Sequence, residues 1–185
     1  MKKKLTMIAA LALAVCIGIG GTMAYLTAST STITNTFTVG NVAINLTETG
    51  AVENAKSYKV SPGSSYAKDP TVTVTANSDK CYVFVKVDAN NASDISWSVR
   101  NGWTQLGTDS VWYRIVDTST DAQVFPILTA GTVTGEENGH VTVSEDVTNG
   151  NLNATLAFTA YAIQYAGFED NASGAWTEVS AAANS

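Results

Sequence analysis

Apolar residues recur at every second position in several short stretches of this chain. The pattern is clearest from Cys81 to Val87, where both faces of an extended chain would be largely apolar. A period of two is that of a β-strand, and apolar residues on both faces indicate a central strand covered on both sides. Turn signals separate at least eight such stretches. They predict an all-β fold, a jelly-roll-like antiparallel β-sandwich, with a closed barrel as the direct alternative.

Individual segments carry more specific predictions. The segment Ile95–Val99 reads as an alternating strand, and Asn101-Gly102 after it is a strong hairpin signal. Pro126 lacks an amide hydrogen, so its strand suits a sheet edge or a bulge. Ala175–Ala183 is predicted to form a short helical tail.

The N-terminus has the three parts of a secretory signal peptide. Three lysines come first, Leu5 to Gly20 is uncharged and apolar, and Thr22-Met23-Ala24 places small residues at −3 and −1 of a cut between Ala24 and Tyr25. The predicted domains are therefore a signal peptide, 1–24, and one β-sandwich domain, 25–185. Two alternatives are a retained anchor helix and a lipoprotein modified at Cys16.

Cleavage there changes the charge of the chain. The full sequence has 10 Lys/Arg and 16 Asp/Glu, and the signal peptide carries three of the lysines. The mature chain would have seven basic and sixteen acidic residues, a net charge of −9. Nucleic acid and anionic lipid are therefore not expected as partners. Cys81 remains as a single thiol, so no internal disulfide is expected.

The first strand material of the mature chain reads as an exchangeable segment, residues 29–39. Ile33, Phe37 and Val39 share one face of an extended chain, and Gly40 interrupts the pattern before it resumes in the other phase. A bulge or kink at Gly40 would produce that switch. We expect strand donation to use these four residues, because an uncharged strand pairs readily with an open sheet edge.

Several motifs together resemble the TasA/camelysin family of exported proteins from Gram-positive bacteria. The chain is similar to that family in its cleavage site, its first strand, its Pro-Gly turn and two later strands, namely Gly20–Thr27, Asn35–Val42, Ser61–Val72, Cys81–Val87 and Ala160–Gln164. The resemblance implies a jelly-roll protein of the biofilm matrix or cell surface, processed by a SipW-type signal peptidase. It also implies homo-oligomeric fibres, or fibres with related matrix proteins, in which the N-terminal strand completes a neighbour's sheet. The chain is shorter than the main fibre protein and has no sorting signal or C-terminal membrane segment, so no stable membrane anchor is expected after cleavage.

The residues argue against catalysis, although some camelysin-like proteins are labelled metallopeptidases. A zinc site needs three or four convergent ligands, and His140 is the one histidine. It lies beside Glu136 and Glu137 in what reads as a solvated loop. Cys81 reads as a core residue rather than a nucleophile. No metal, cofactor or catalytic residue is predicted. Weak calcium binding by loop carboxylates is an alternative to a solvated acidic face, at Asp117, Asp121, Glu136, Glu137, Glu145 and Asp146.

Two function classes remain open. Trp97, Trp103 and Trp112 either fill the core and its edges, which is the expectation, or form a platform for stacking sugars. The protein is accordingly a structural matrix protein that assembles through sheet edges or a monomeric extracellular module that binds glycan or protein. A metallopeptidase is a distant third.

Overall fold

The computed structural model describes residues 41–51, 57–130, 139–147 and 152–183, all within one compact unit, Gly40–Ser185. The fold is all-β with one short helix, as the alternation predicted. The elements in chain order are β1 Ile44–Thr47, β2 Ser65–Ala67, β3 Thr71–Val74, β4 Cys81–Asn90, a 3₁₀ turn Ala92–Asp94, β5 Ile95–Ser96, β6 Thr104–Gln105, β7 Val111–Val116, β8 Gln123–Pro126, β9 His140–Val143, β10 Thr155–Gln164 and α1 Ala172–Ala182.

The strands form three antiparallel sheets. The largest has the order β10-β4-β7-β6, and the others have the orders β1-β3-β8 and β2-β9-β5. The long strands β4 and β10 pair over their full lengths, from Thr155 opposite Asn90 to Gln164 opposite Cys81. Among the described residues, two isolated bridges lie outside these strands. Val99, after β5, pairs with Leu128, after β8, and Ala130 pairs with Gly139, just before β9.

The core lies between the four-stranded sheet and the two small sheets, which makes the arrangement sandwich-like. Valines at alternate positions of β4 face Val72 and Val74 of β3 across this core. Side chains from β1, β7, β8, β9 and β10 pack around them. The alternation of apolar residues therefore determines which side of each strand is buried.

A second apolar cluster covers the opposite face of the four-stranded sheet. Tyr82 and Phe84 point to this side of β4 and contact α1 through Ala175 and Trp176. The helix begins after Asn171, whose side chain accepts a hydrogen bond from the Gly174 amide at 2.9 Å. Because α1 and the small sheets cover its two faces, β4 is the doubly covered central strand that its sequence predicted.

Other predictions are confirmed. Cys81 is fully buried in the same cluster as the valines of β4. Trp103 is buried, and Trp97 and Trp112 pack against the core with their rings 5.8 Å apart. Pro126 ends β8, the edge strand of its sheet. The predicted tail is helical and begins three residues earlier than expected.

Three predictions are wrong. His140 is not in a solvated loop; it begins β9, is 7% exposed, and its amide donates to the Thr129 carbonyl at 3.1 Å. Asn101-Gly102 forms a turn but no hairpin, because β5 pairs with β9 while β6 pairs with β7. The strand expected at Ile95–Val99 stops at Ser96, and Val99 forms only an isolated bridge.

The N-terminal predictions lie outside the described residues. They comprise the signal peptide, the cleavage site at Ala24 and Tyr25, and the exchangeable strand with Ile33, Phe37, Val39 and Gly40. The acidic loop at Glu136 and Glu137 lies outside them too.

Candidate functional site

A groove of about 510 Å³, lined by apolar and polar side chains in similar measure, opens between the two layers of the fold. One wall is the first half of β10, where Leu156 and Phe158 face inward. Val141 and Val143 of β9 form the opposite wall. Each of these residues alternates with a polar or small neighbour, so each points inward for the same reason that the core valines do.

The strand beside this groove is the edge of its sheet. All ten residues of β10 are aligned with β4 on one side. In the part of the chain that the structure describes, no strand pairs with its other side. An edge strand of this length presents a row of amide and carbonyl groups to whatever lies beside it, which makes it a template for another strand.

A buried ion pair lies at the side of the groove. Lys68 Nζ is 2.9 Å from Glu48 Oε2, and the two side chains are only 13% and 15% exposed. The Tyr58 hydroxyl donates to Glu48 Oε1 at 2.8 Å, and burial followed by the nearby Glu48 carboxylate raises the pKa of Tyr58. Lys68 Nζ also lies 5.3 Å from the centre of the Phe158 ring. Because Lys68 and Glu48 neutralise each other, the groove carries no net charge.

The sequence alone did not predict the groove or the edge position of β10. Leu156 and Phe158 alternate with smaller or polar neighbours in the sequence, which agrees with their position on the inner face. Periodicity cannot indicate which side of a strand lacks a neighbour, because the same pattern arises in edge and central strands. The sequence-predicted site residues, at the cleavage site and in the first strand, lie outside the described residues.

A second, shallow cavity of about 230 Å³ lies on the outer side of the small β2-β9-β5 sheet. Its lining is uncharged and rich in hydroxyl groups, and Ser98 Oγ is 2.6 Å from Thr129 Oγ1. The side chains of Trp97 and His140 also contribute to the lining. These groups are donors and acceptors of the kind that bind neutral polar ligands.

The described residues contain no group of three or more His, Cys, Asp or Glu side chains arranged to hold a metal ion. Of the carboxylates considered for calcium, Asp117 instead pairs with Lys80 Nζ at 3.1 Å. Within the same described ranges, no helix has the length and apolar character needed to cross a membrane.

Comparisons with protein-family models, with curated proteins and with solved structures find no match to this chain.

Proposed function

We propose that this protein is a secreted structural component of the biofilm matrix or cell surface, and that it assembles into fibres by N-terminal strand donation between subunits. The observation that carries the proposal is the groove, with Leu156 and Phe158 in its wall, beside the side of β10 that pairs with no strand among the described residues. The proposal includes a jelly-roll arrangement of the sandwich and export by a signal peptide cut between Ala24 and Tyr25. It also includes processing by a SipW-type signal peptidase, without a stable membrane anchor afterwards.

The sequence of the donor segment suits this acceptor. Ser29–Thr38 is ten residues long, the same length as β10, and it contains no charge and no proline. Ile33 and Phe37 lie four residues apart, so an extended chain would present both to the groove. An added strand gains affinity from main-chain hydrogen bonds and specificity from alternate side chains. Here the edge of β10 would supply the hydrogen bonds, and Ile33 and Phe37 would supply the specificity.

Burying two large apolar anchors contributes about 3–6 kcal/mol. Association costs at least about 4 kcal/mol in lost freedom of motion, and ordering the donated strand costs about 1–2 kcal/mol more for each residue. The anchors alone are therefore insufficient, and the linkage depends on the main-chain hydrogen bonds of the strand edge as well, each of which contributes about 0.5–1.5 kcal/mol. Donation from one copy into the next is head-to-tail and does not close, so it propagates a filament.

The test compares the form beginning at Tyr25 with a form beginning at Gly40, both imaged by electron microscopy over several days. We expect filaments from the longer form only. Filaments from both forms would show that the N-terminal strand is not the connector, and filaments from neither would favour a monomer.

Two substitutions test the acceptor. Leu156→Asp places a charge inside the groove and should abolish filaments. Thr159→Asp introduces the same charge at an exposed position that faces the other side of β10, and it should leave filaments intact. Circular dichroism should show the same fold for both. Filaments from Leu156→Asp would argue against the groove as acceptor.

A second candidate function, a monomeric extracellular module that binds neutral glycan, is favoured by the hydroxyl-lined cavity at Ser98 and Thr129. Calorimetric titration with neutral oligosaccharides tests it, with Ser98→Ala as the binding-deficient variant. Heat that is unchanged by this substitution would argue against the cavity.

We also propose that the protein is not an enzyme and uses no cofactor or metal, and that it does not bind nucleic acid. Purified protein should show no metal-dependent peptidase activity. Activity that a chelator removes, zinc restores and His140→Ala abolishes would overturn this proposal.

A further inference from the structure

Arg114 of β7 is a half-buried cation whose guanidinium has no ionic partner. Its side chain points toward the core, between the two layers. The guanidinium carbon lies 3.8 Å from the centre of the Phe125 ring and 5.3 Å from that of the Trp103 ring. Among the described residues it forms no ion pair and donates no hydrogen bond, and its Nε is buried without a partner.

Two other cations in the fold show what is missing at Arg114. Lys80 Nζ lies 4.4 Å from the centre of the Tyr165 ring and pairs with Asp117 at 3.1 Å. Lys68 Nζ lies over the Phe158 ring and pairs with Glu48 at 2.9 Å. In both cases an aromatic ring covers one side of the cation and a carboxylate binds it from another. Arg114 has two rings and no carboxylate.

The free end of the guanidinium lies next to the exposed turn at Gly102. A Cβ atom built on Gly102 would be in ordinary van der Waals contact with it, 3.8 Å from Nη2 and 3.9 Å from Nη1. The rings hold the guanidinium plane in place, and the indole of Trp103 is itself fixed by donating to the Pro126 carbonyl at 3.0 Å. Burial lowers the pKa of Arg114, as expected for a cation that has lost water without gaining a counter-charge.

We propose that Arg114 is a binding site for a carboxylate group, which its Nη1 and Nη2 atoms bind beside the Gly102 turn. A carboxylate has two oxygens in one plane, which matches the fork of a guanidinium. Partial burial strengthens such a bond by excluding water. An acidic side chain of another polypeptide and an acidic sugar could both supply the group. The inference does not depend on the proposed fibre function.

The probes are three monocarboxylates, namely acetate, N-acetylglutamate α-amide and glucuronate, added to freshly purified ¹⁵N-labelled protein of the form beginning at Tyr25 before any filaments form. The resonances to follow are the Trp103 indole N–H, the Gly102 amide and the Arg114 Nε–H. We expect saturable shifts of these three signals with each carboxylate, and none with chloride at equal ionic strength. Tighter binding of the glutamate derivative would identify a protein side chain as the source, and tighter binding of glucuronate an acidic sugar. Equal affinities would show that the carboxylate alone is recognised.

Three variants separate recognition from a purely structural role. Arg114→Met removes the guanidinium but keeps an unbranched apolar stem at this position, and it should weaken binding about 10- to 100-fold. Arg114→Lys keeps the charge but loses the fork, and it should weaken binding about tenfold. Lys80→Met removes a cation that already has a partner, and it should leave binding unchanged.

Thermal unfolding of each variant checks that the fold persists; if Arg114→Met fails to fold, Arg114→Lys carries the comparison. Absence of saturable shifts in the unmodified protein would overturn the proposal. Equal shifts in the Arg114 variants would overturn it as well, since binding would then not involve the guanidinium.

Discussion

Labelling of Cys81 provides a direct test of how the central strand is packed. The form beginning at Tyr25 lacks Cys16, so Cys81 is its only thiol. The side chain has no exposed surface in the fold and faces the same cluster as the valines of β4. A thiol reagent reports on this position without any substitution, because the native and denatured states of one molecule can be compared.

Two effects slow the reaction in the native state. Burial, with a smaller contribution from Asp79, raises the pKa of Cys81 from its ordinary value of 9.0 to about 11. Since the thiolate is the reactive form, this shift alone reduces the reactive population at pH 8 about 100-fold. The reagent must also reach a sulfur that is closed off by both layers, which requires local opening and slows the reaction further.

The assay measures the rate of modification by a chromogenic disulfide reagent at pH 8, first in buffer and then in denaturant. We expect the native rate to be lower by at least about 100-fold. A free thiol on a small peptide, measured under both conditions, corrects for the effect of denaturant on the reagent. Equal corrected rates would refute the reasoning, since they would place Cys81 on an exposed face and reverse the phase of β4.

The same pKa shift predicts a loss of stability at alkaline pH. Between about pH 9 and 11 the unfolded chain releases the thiol proton while the folded chain retains it, so the folded state becomes less favourable as pH rises. The full shift corresponds to about 3 kcal/mol. Cys81→Ala should lack this component, and the stability of the two proteins should converge toward pH 11 in denaturant titrations. If the free energies of unfolding of the two proteins changed in parallel with pH, that result would contradict the raised pKa of Cys81.

Three further predictions concern other parts of the chain. Glu48→Gln should lower the free energy of unfolding by about 2 kcal/mol, because it leaves Lys68 charged and half-paired, and adding Lys68→Met should recover part of the loss in a double-mutant cycle. Trp176→Ala should cost about 3 kcal/mol in denaturant unfolding, because the ring packs on Phe84 at 5.4 Å; a change below 1 kcal/mol would show that α1 is only loosely docked. Mass spectrometry of the secreted protein should find Tyr25 at the N-terminus within two residues, and a secreted form that keeps residues 1–20 would contradict the signal peptide.

The sequence predicts local properties of this fold well. The period of two identifies β4 and the inward side of Cys81, because side-chain direction alternates wherever the chain is extended. Apolar residues on both faces of β4 correctly indicate two covering layers. Pro126 correctly indicates an edge, because a missing amide hydrogen is a property of one residue. Each of these predictions needs only the residue and its near neighbours.

Predictions that depend on contacts with a distant segment of the chain are less accurate. Asn101-Gly102 has the composition of a hairpin turn, and it does form a turn. The flanking segments nevertheless pair with β9 and β7, which belong to two different sheets. His140 looks solvated because its preceding neighbours are glutamates and glycine. In the fold, Ala67 of β2 lies opposite His140 on one side and Thr129 accepts a hydrogen bond from its amide on the other, and none of the local residues indicates these partners.

The two features on which the proposals rest show the same contrast between local and distant contacts. Leu156 is assigned to the inner face by alternation, but the unpaired side of β10 depends on which strands occupy the other positions of the sheet. In the sequence, Arg114 resembles an ordinary exposed strand residue. Its site forms only because β8 places Phe125 opposite it across the core. Both features come from contacts between segments that are distant in sequence, so variants at the acceptor and at the guanidinium test the tertiary arrangement itself. Loss of filaments in Leu156→Asp with retained carboxylate binding would therefore show that the groove and the Arg114 site are independent elements of the surface.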